Sequence, residues 1–331
     1  MTALVVVEGR RFRYRTAVRW LAVAGVVAAL VTVLGAYLAT RPPSAAQVEQ
    51  QRVWFEQAVA DWEENGEQWV ADCREQEAAA QESDPAADYG CDQMTAPRWE
   101  DFTAPRSTFA GDAGSWATLL SVFLLLLGFA AGVTAVTAEH AAGSLALWLT
   151  YVPRRGRVYA SKVLVAGLGV VPPAVLALAL GVGGSWAVAA VNDAQGDLTG
   201  RVWTELGWQG LRTVALVAVA GALGAALGFL LRGAAAALGL AVGWFLLVDL
   251  LLSNVLPALQ PWTLRMSAAA WLGDGADYGL PVPCDSVETA AAGTCWGVET
   301  LSAGRGALQL AVVAAVLLVA GLLVFRRRDL D

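Results

Sequence analysis

The chain has 331 residues, of which 57% are hydrophobic and 15% charged, with a formal net charge of −7. A soluble domain is usually about 25% charged, so this composition excludes an ordinary soluble enzyme. It points instead to an all-α integral membrane protein with six transmembrane helices.

The predicted elements follow in chain order. Residues 1–17 mix apolar positions with Arg10, Arg11, Arg13 and Arg15, which suits an interfacial helix whose arginines reach lipid headgroups. The first span is expected at 18–39 and ends before Arg41-Pro42-Pro43. Residues 40–113 form a long loop holding a helix at 44–80, where Val48, Phe55, Trp62 and Trp69 recur every seven residues. That helix reads as packing on its own loop, on a second copy or on a partner, with a substrate-binding lid as the sharper alternative. From Arg41 to Asp112 there are 16 acids against 5 arginines, so the net charge belongs to this loop. The second span is expected at 114–138, a connecting loop at 139–161 and the third span at 162–191, kinked or interrupted at Pro172 and Pro173. A short loop at 192–211 leads to spans at 212–231 and 233–256, and a stapled, irregular cap at 257–305 precedes the last span at 306–325. The cap has room for a short re-entrant helix at about Trp262–Leu272, and residues 326–331 form a basic tail. Each span window can hold the roughly 20 apolar residues that cross a bilayer.

The arginines orient the chain. Those before the first span, those in the second connection, Arg232 and Arg326 to Arg328 all fall on one side if the spans alternate. By the positive-inside rule that side is the cytoplasm, and both termini lie there. The four cysteines then lie outside, where disulfides form. Local bridges Cys73–Cys91 and Cys284–Cys295 are the favoured pairing of three connectivities, with a metal site as the alternative.

Catalytic chemistry is largely excluded. A Walker A loop needs a lysine after a glycine-rich turn, and the only lysine, Lys162, follows Tyr159-Ala160-Ser161. With a single histidine, His140, no multi-histidine metal centre forms, and no nucleophile elbow is present. No metal, cofactor or nucleic acid is expected on this chain. Asp249 is an acid inside the fifth span; structural pairing or hydrogen bonding near the external side is preferred to a role in a proton relay, although it could line a substrate path. Gly221, Gly224 and Gly228 place small residues on one side of the fourth span, for packing either within the chain or at a dimer seam.

The connection after the second span carries the sharpest signal. Glu139, Gly143-Ser144-Leu145, the apolar run with Trp148, Leu149 and Val152, then Pro153-Arg154-Arg155 and Lys162 describe a short loop helix between an acid and a group of bases. This order resembles the loop of ABC-2 type transporter permeases; Glu8 with Arg10 and Arg11, and the tail Phe325 to Leu330, resemble that family's ends. The resemblance implies a permease subunit for ATP-driven export, coupled to two copies of a separate P-loop ATPase that carries ATP and Mg2+. A second permease copy would complete the path, as homodimer or heterodimer. Glu139, Ser144, Leu145, Trp148, Leu149, Val152, Pro153, Arg154 and Arg155 would form the contact with the ATPase, the arginines pairing with its acids or with membrane lipid phosphates. Few lysines and much Ala, Val, Gly and Arg suggest a GC-rich genome and hence an actinobacterial, bacterial plasma membrane. The rival readings are a ligand-sensing or accessory membrane protein with an acidic external domain, and a secondary transporter, for which no internal repeat is visible.

Overall fold

A computed structural model describes residues 2–82, 85, 87–103, 106–151, 154–282 and 295–327. The helices are α1 (Thr2–Tyr14), α2 (Thr16–Thr40), α3 (Ala45–Gln81), α4 (Trp99–Phe102), α5 (Phe109–Ala141), α6 (Ser144–Tyr151), α7 (Arg155–Gly169), α8 (Val171–Val191), α9 (Gly200–Leu231) and α10 (Ala234–Trp244). A π-helical stretch, Phe245–Leu252, follows α10, and then come α11 (Ser253–Val255), α12 (Leu264–Gly273) and α13 (Ala303–Arg327). Two strands, β1 (Ala276–Val282) and β2 (Cys295–Leu301), pair as a ribbon.

Among the described residues six helical stretches are long and apolar enough to cross a membrane: α2, α5, α7 with α8, α9, Ala234–Val255 and α13. The chain divides into two compact units, one of residues 1–40, 108–280 and 298–331, the other of 41–107 and 281–297.

The first unit is built on close helix contact. Gly132 of α5 faces the Gly221 carbonyl of α9, and Gly224 of α9 faces the Phe129 carbonyl of α5; a Cβ at either glycine would collide with that backbone. Without side chains between them the helices meet over a long seam, the usual device where water supplies no driving force. The α9 glycines are thus used inside the chain. Aromatic rings close one end of this unit: Phe229 lies 5.0 Å from Tyr159 and 4.6 Å from Phe325, centroid to centroid. The Tyr159 hydroxyl donates to the Leu318 carbonyl at 2.7 Å.

Several boundaries differ from those expected. A turn at Val170, just before Pro172 and Pro173, divides the third span into α7 and α8; α7 begins at Arg155, so residues 155–161 are helical and continuous with it rather than loop. Similarly α9 starts at Gly200, since polar ends do not break a helix, and Arg201 and Glu205 pair one turn apart at 2.6 Å. The cap holds α12 where a short helix was expected, and beside it, in place of irregular chain, the β1–β2 ribbon. Tyr278 donates to the Glu299 carboxylate and Thr300 to Asp277, each at 2.7 Å across the strands. Such cross-strand pairs hold a ribbon that hydropathy does not reveal.

In the second unit α3 opens with a capping box between Ser44 and Gln47. Phe55 meets the edges of Trp99 and Phe102, both at 5.6 Å, so this member of the heptad face packs on its own loop, while Trp62 meets Trp69 within α3 and Val48 and Trp69 are exposed. Cys73 and Cys91 are disulfide-bonded, and Arg74 pairs with Asp92 at 2.8 Å beside them. The expected partner of Cys295, Cys284, lies outside the described residues.

Candidate coupling site

The site grows from the end of α5. Glu139 lies in its last turn, where the helix dipole disfavours a negative charge, and it is buried at 5% exposure. Cations must therefore come to it. Lys162, two turns into α7 and equally buried, places Nζ 2.5 Å from Glu139 Oε2. The same ammonium donates to both carboxylate oxygens of Glu8 on α1 at 3.1 Å. Arg15, at the joint between α1 and α2, pairs with the other oxygen of Glu139 and donates to the Thr134 carbonyl at 3.4 Å. Two acids and two bases thus cancel among α1, α2, α5 and α7.

Such a cluster does little for net stability, because desolvation offsets attraction, but removing one member strands a buried charge. Its geometric consequence is register: the four helices meet here at one fixed set of distances. Phe12 reinforces the joint by packing its ring over Gly169 of α7, where a Cβ would clash.

The short helix α6 hangs from this joint. Ala142 caps α5, and Gly143 follows with φ of 64°, a left-handed conformation that glycine adopts without cost. Ser144 Oγ donates to the Glu139 carbonyl at 3.4 Å, tying the first residue of α6 to the cluster. Trp148 is half-buried, with the Arg11 guanidinium 4.9 Å from its ring centroid, so α6 also rests on α1. Leu145 and Leu149 lie in α6, but their side chains are outside the described residues, as are Val152 and Pro153 altogether. Arg154 is exposed, just before α7. Arg155 turns inward: its Nη1 donates to the Phe325 and Arg326 carbonyls at 3.4 Å, satisfying the last turn of α13. Among the described residues of the predicted contact, Glu139, Ser144 and Trp148 belong to the joint of α5, α6 and α1, whereas Arg155 joins the start of α7 to the chain's C-terminal helix.

Asp249 is elsewhere. It is buried at 3% exposure in the π-helical stretch, and its Oδ1 accepts from the Leu264 amide at 2.9 Å and the Arg265 amide at 3.5 Å. With Thr263, which accepts from Met266 at 3.2 Å, it caps the N-terminus of α12. This is a hydrogen-bonding role for an acid inside an apolar helix.

Sequence reasoning missed the pairing of Arg15 and Lys162 with Glu139 and of Lys162 with Glu8. A signal existed: Glu8 is the only acid before Glu49, and Lys162 the only lysine, at the edge of an apolar stretch. A charge so placed needs partners, though not partners that sequence alone can name.

Six apolar spans, a buried ionic joint and a short apolar helix projecting from it define a multi-pass membrane protein of the transporter-permease class. The chain belongs to the ABC-2 family: the family model described as "ABC-2 family transporter protein" matches residues 12–330. Members of this family are the membrane components of their transporters, not the ATPases. No curated protein matches the sequence.

Proposed function

We propose that this chain forms half of the membrane path of an ATP-driven exporter and is moved by a separate P-loop ATPase gripping α6. The observation that carries this reading is the rooting of α6. One end rises from Glu139 through Gly143, and the other enters α7 seven residues before Lys162 (Arg155 to Lys162), so both roots lead to the same ion cluster. A push on α6 is therefore applied to α1, α2, α5 and α7 together rather than absorbed by a slack loop. ATP and Mg2+ belong to the ATPase, of which two copies serve a pair of permease chains, identical or not. The arginine distribution supports cytoplasmic termini, and the composition supports a bacterial, actinobacterial plasma membrane.

The test is purification from native membranes in mild detergent with identification of what accompanies the chain. A stoichiometric P-loop ATPase is expected, lost when Trp148 and Leu149 are both replaced by Asp. Reproducible recovery without any ATPase would sink the pump reading and favour the sensing or accessory role, in which α6 is dispensable.

A further inference from the structure

We infer that the ATPase has a second foothold on this chain, outside α6: a platform of Arg157, Arg326 and Arg327, at the start of α7 and the foot of α13, that takes an acidic patch of that partner. The inference rests on the reading of α6 as the gripped element and adds the C-terminal helix to the contact.

Folding builds the platform from distant parts of the chain. Arg155 and Arg326 are 171 residues apart, yet the Arg155 guanidinium donates to the Phe325 and Arg326 carbonyls and so seats the end of α13 against the first turn of α7. The next residue, Gly156, has no side chain, and the Arg326 guanidinium lies over it. Its Nε and Nη2 are 3.9 Å from where a Cβ would stand. Arg157 follows directly. The mount is stiff: Phe325 is 3% exposed and packs on Phe229, and the Tyr159 hydroxyl holds the Leu318 carbonyl one α13 segment deeper. Groups carried on so fixed a base lose little freedom when a partner arrives.

The charge on this platform is unanswered. Arg157, Arg326 and Arg327 are exposed, and among the described residues none has a carboxylate within ion-pair distance. Arg15, Arg74 and Arg212, which serve the fold, are each paired with an acid. Arg157 also stands in the first turn of α7, which holds no acid and where the helix dipole disfavours a base. Like charges gathered there repel until an anion joins them. The position selects a protein as its source. Arg154 stands between the end of α6 at Tyr151 and Arg157, so the platform continues the surface that the ATPase grips. Arg326 turns onto α7, toward that surface, and not outward along the exposed apolar side of α13 with Val316, Val319 and Leu323, where a lipid phosphate would draw it. Three like charges on a fixed mount are complementary to a cluster of carboxylates. Exposed pairs of this kind speed encounter more than they hold a complex, and salt screens them.

The intact chain in phosphatidylcholine nanodiscs, with the ATPase that copurifies with it, gives association and dissociation rates by biolayer interferometry. Arg157→Gln with Arg326→Gln should slow association about tenfold at low salt and leave dissociation within about twofold. High salt should bring variant and parent together. Arg157→Lys with Arg326→Lys keeps the charges and should associate like the parent, which separates charge from a folding defect. Trp148→Asp with Leu149→Asp should abolish binding at any salt concentration, as the grip on α6 requires. A Gln variant that associates like the parent would overturn the platform while the α6 reading stands; a parent that does not bind the ATPase would overturn both. An equal loss in the Lys variant would make the arginines structural. A defect seen only in phosphatidylglycerol discs would assign them to lipid phosphate. Either result would also overturn the proposal.

Discussion

At Lys162 one side chain carries the electrostatic balance of the whole joint. Replacing it with Met keeps most of the volume and removes the positive charge, leaving Glu8 and Glu139 buried beside each other with only Arg15 to offset them. Because Lys162 and both carboxylates are almost fully buried, water screens little of that repulsion, and a loss of about 3–5 kcal/mol is expected. Adding Glu8→Gln to Lys162→Met leaves the Glu139–Arg15 pair alone and should recover a large part of the loss. A fluorescence-monitored thermal melt in detergent reads both variants; equal destabilisation by the single and the double change would mean that Lys162 acts through packing and not through charge. Gly224 sets a different limit, since a Cβ there meets the Phe129 carbonyl head-on. Gly224→Ala should cost at least the 1–3 kcal/mol of an overpacked core, whereas Gly239→Ala, with nothing within 4 Å of the added carbon, should melt like the parent. Parallel melts of the two variants decide whether the α5–α9 seam is as tight as its backbone contacts make it.

Among the elements, the long helices were legible in the sequence because hydropathy over some twenty residues is a strong and redundant signal, and the break in the third span because two prolines announce it. The β1–β2 ribbon was not, since Tyr278, Glu299, Asp277 and Thr300 act through cross-strand pairs that no local period records. The coupling loop was legible as a motif around Glu139 and Trp148, but its anchoring was not: Glu8 and Lys162 are 154 residues apart, and only folding brings them together. Arg155 shows the same limit, as charge alone could not tell a group for a partner from a cap on α13. For α12 the decisive partner is Asp249, fifteen residues before Leu264. Asp249→Asn keeps an acceptor at the first amides of α12 and should change little. Asp249→Leu leaves those amides unanswered, at a cost of about 1–3 kcal/mol, and should speed hydrogen exchange across Leu264–Gly273. A proton-relay role would instead make the Asn variant as defective in transport as the Leu variant while α12 stays protected.

Over the whole molecule, charge and sulfur chemistry make the same claim about sidedness by independent routes. The bases gather at the end where Glu8 meets Lys162 and Arg155 meets the last turn of α13, so both ends of the described chain share that side. The 16 acids and 5 arginines of residues 41–112 occupy the segment between α2 and the start of α5. The bridge between Cys73 and Cys91, 18 residues apart, stabilises that segment by about 3 kcal/mol if it persists, and it persists only outside the reducing cytosol. Intact cells should therefore take up no membrane-impermeant maleimide at these positions until treated with an impermeant reductant, and Cys73 and Cys91 should then react, together with Cys295 and its expected partner Cys284. A cysteine placed at Ala142, exposed at the foot of α6, should label only after the membrane is opened. The converse pattern, with Ala142→Cys labelled from outside and Cys73 shielded, would invert the chain. It would put α6 on the face that has no ATP, and the coupling reading would fail with the topology.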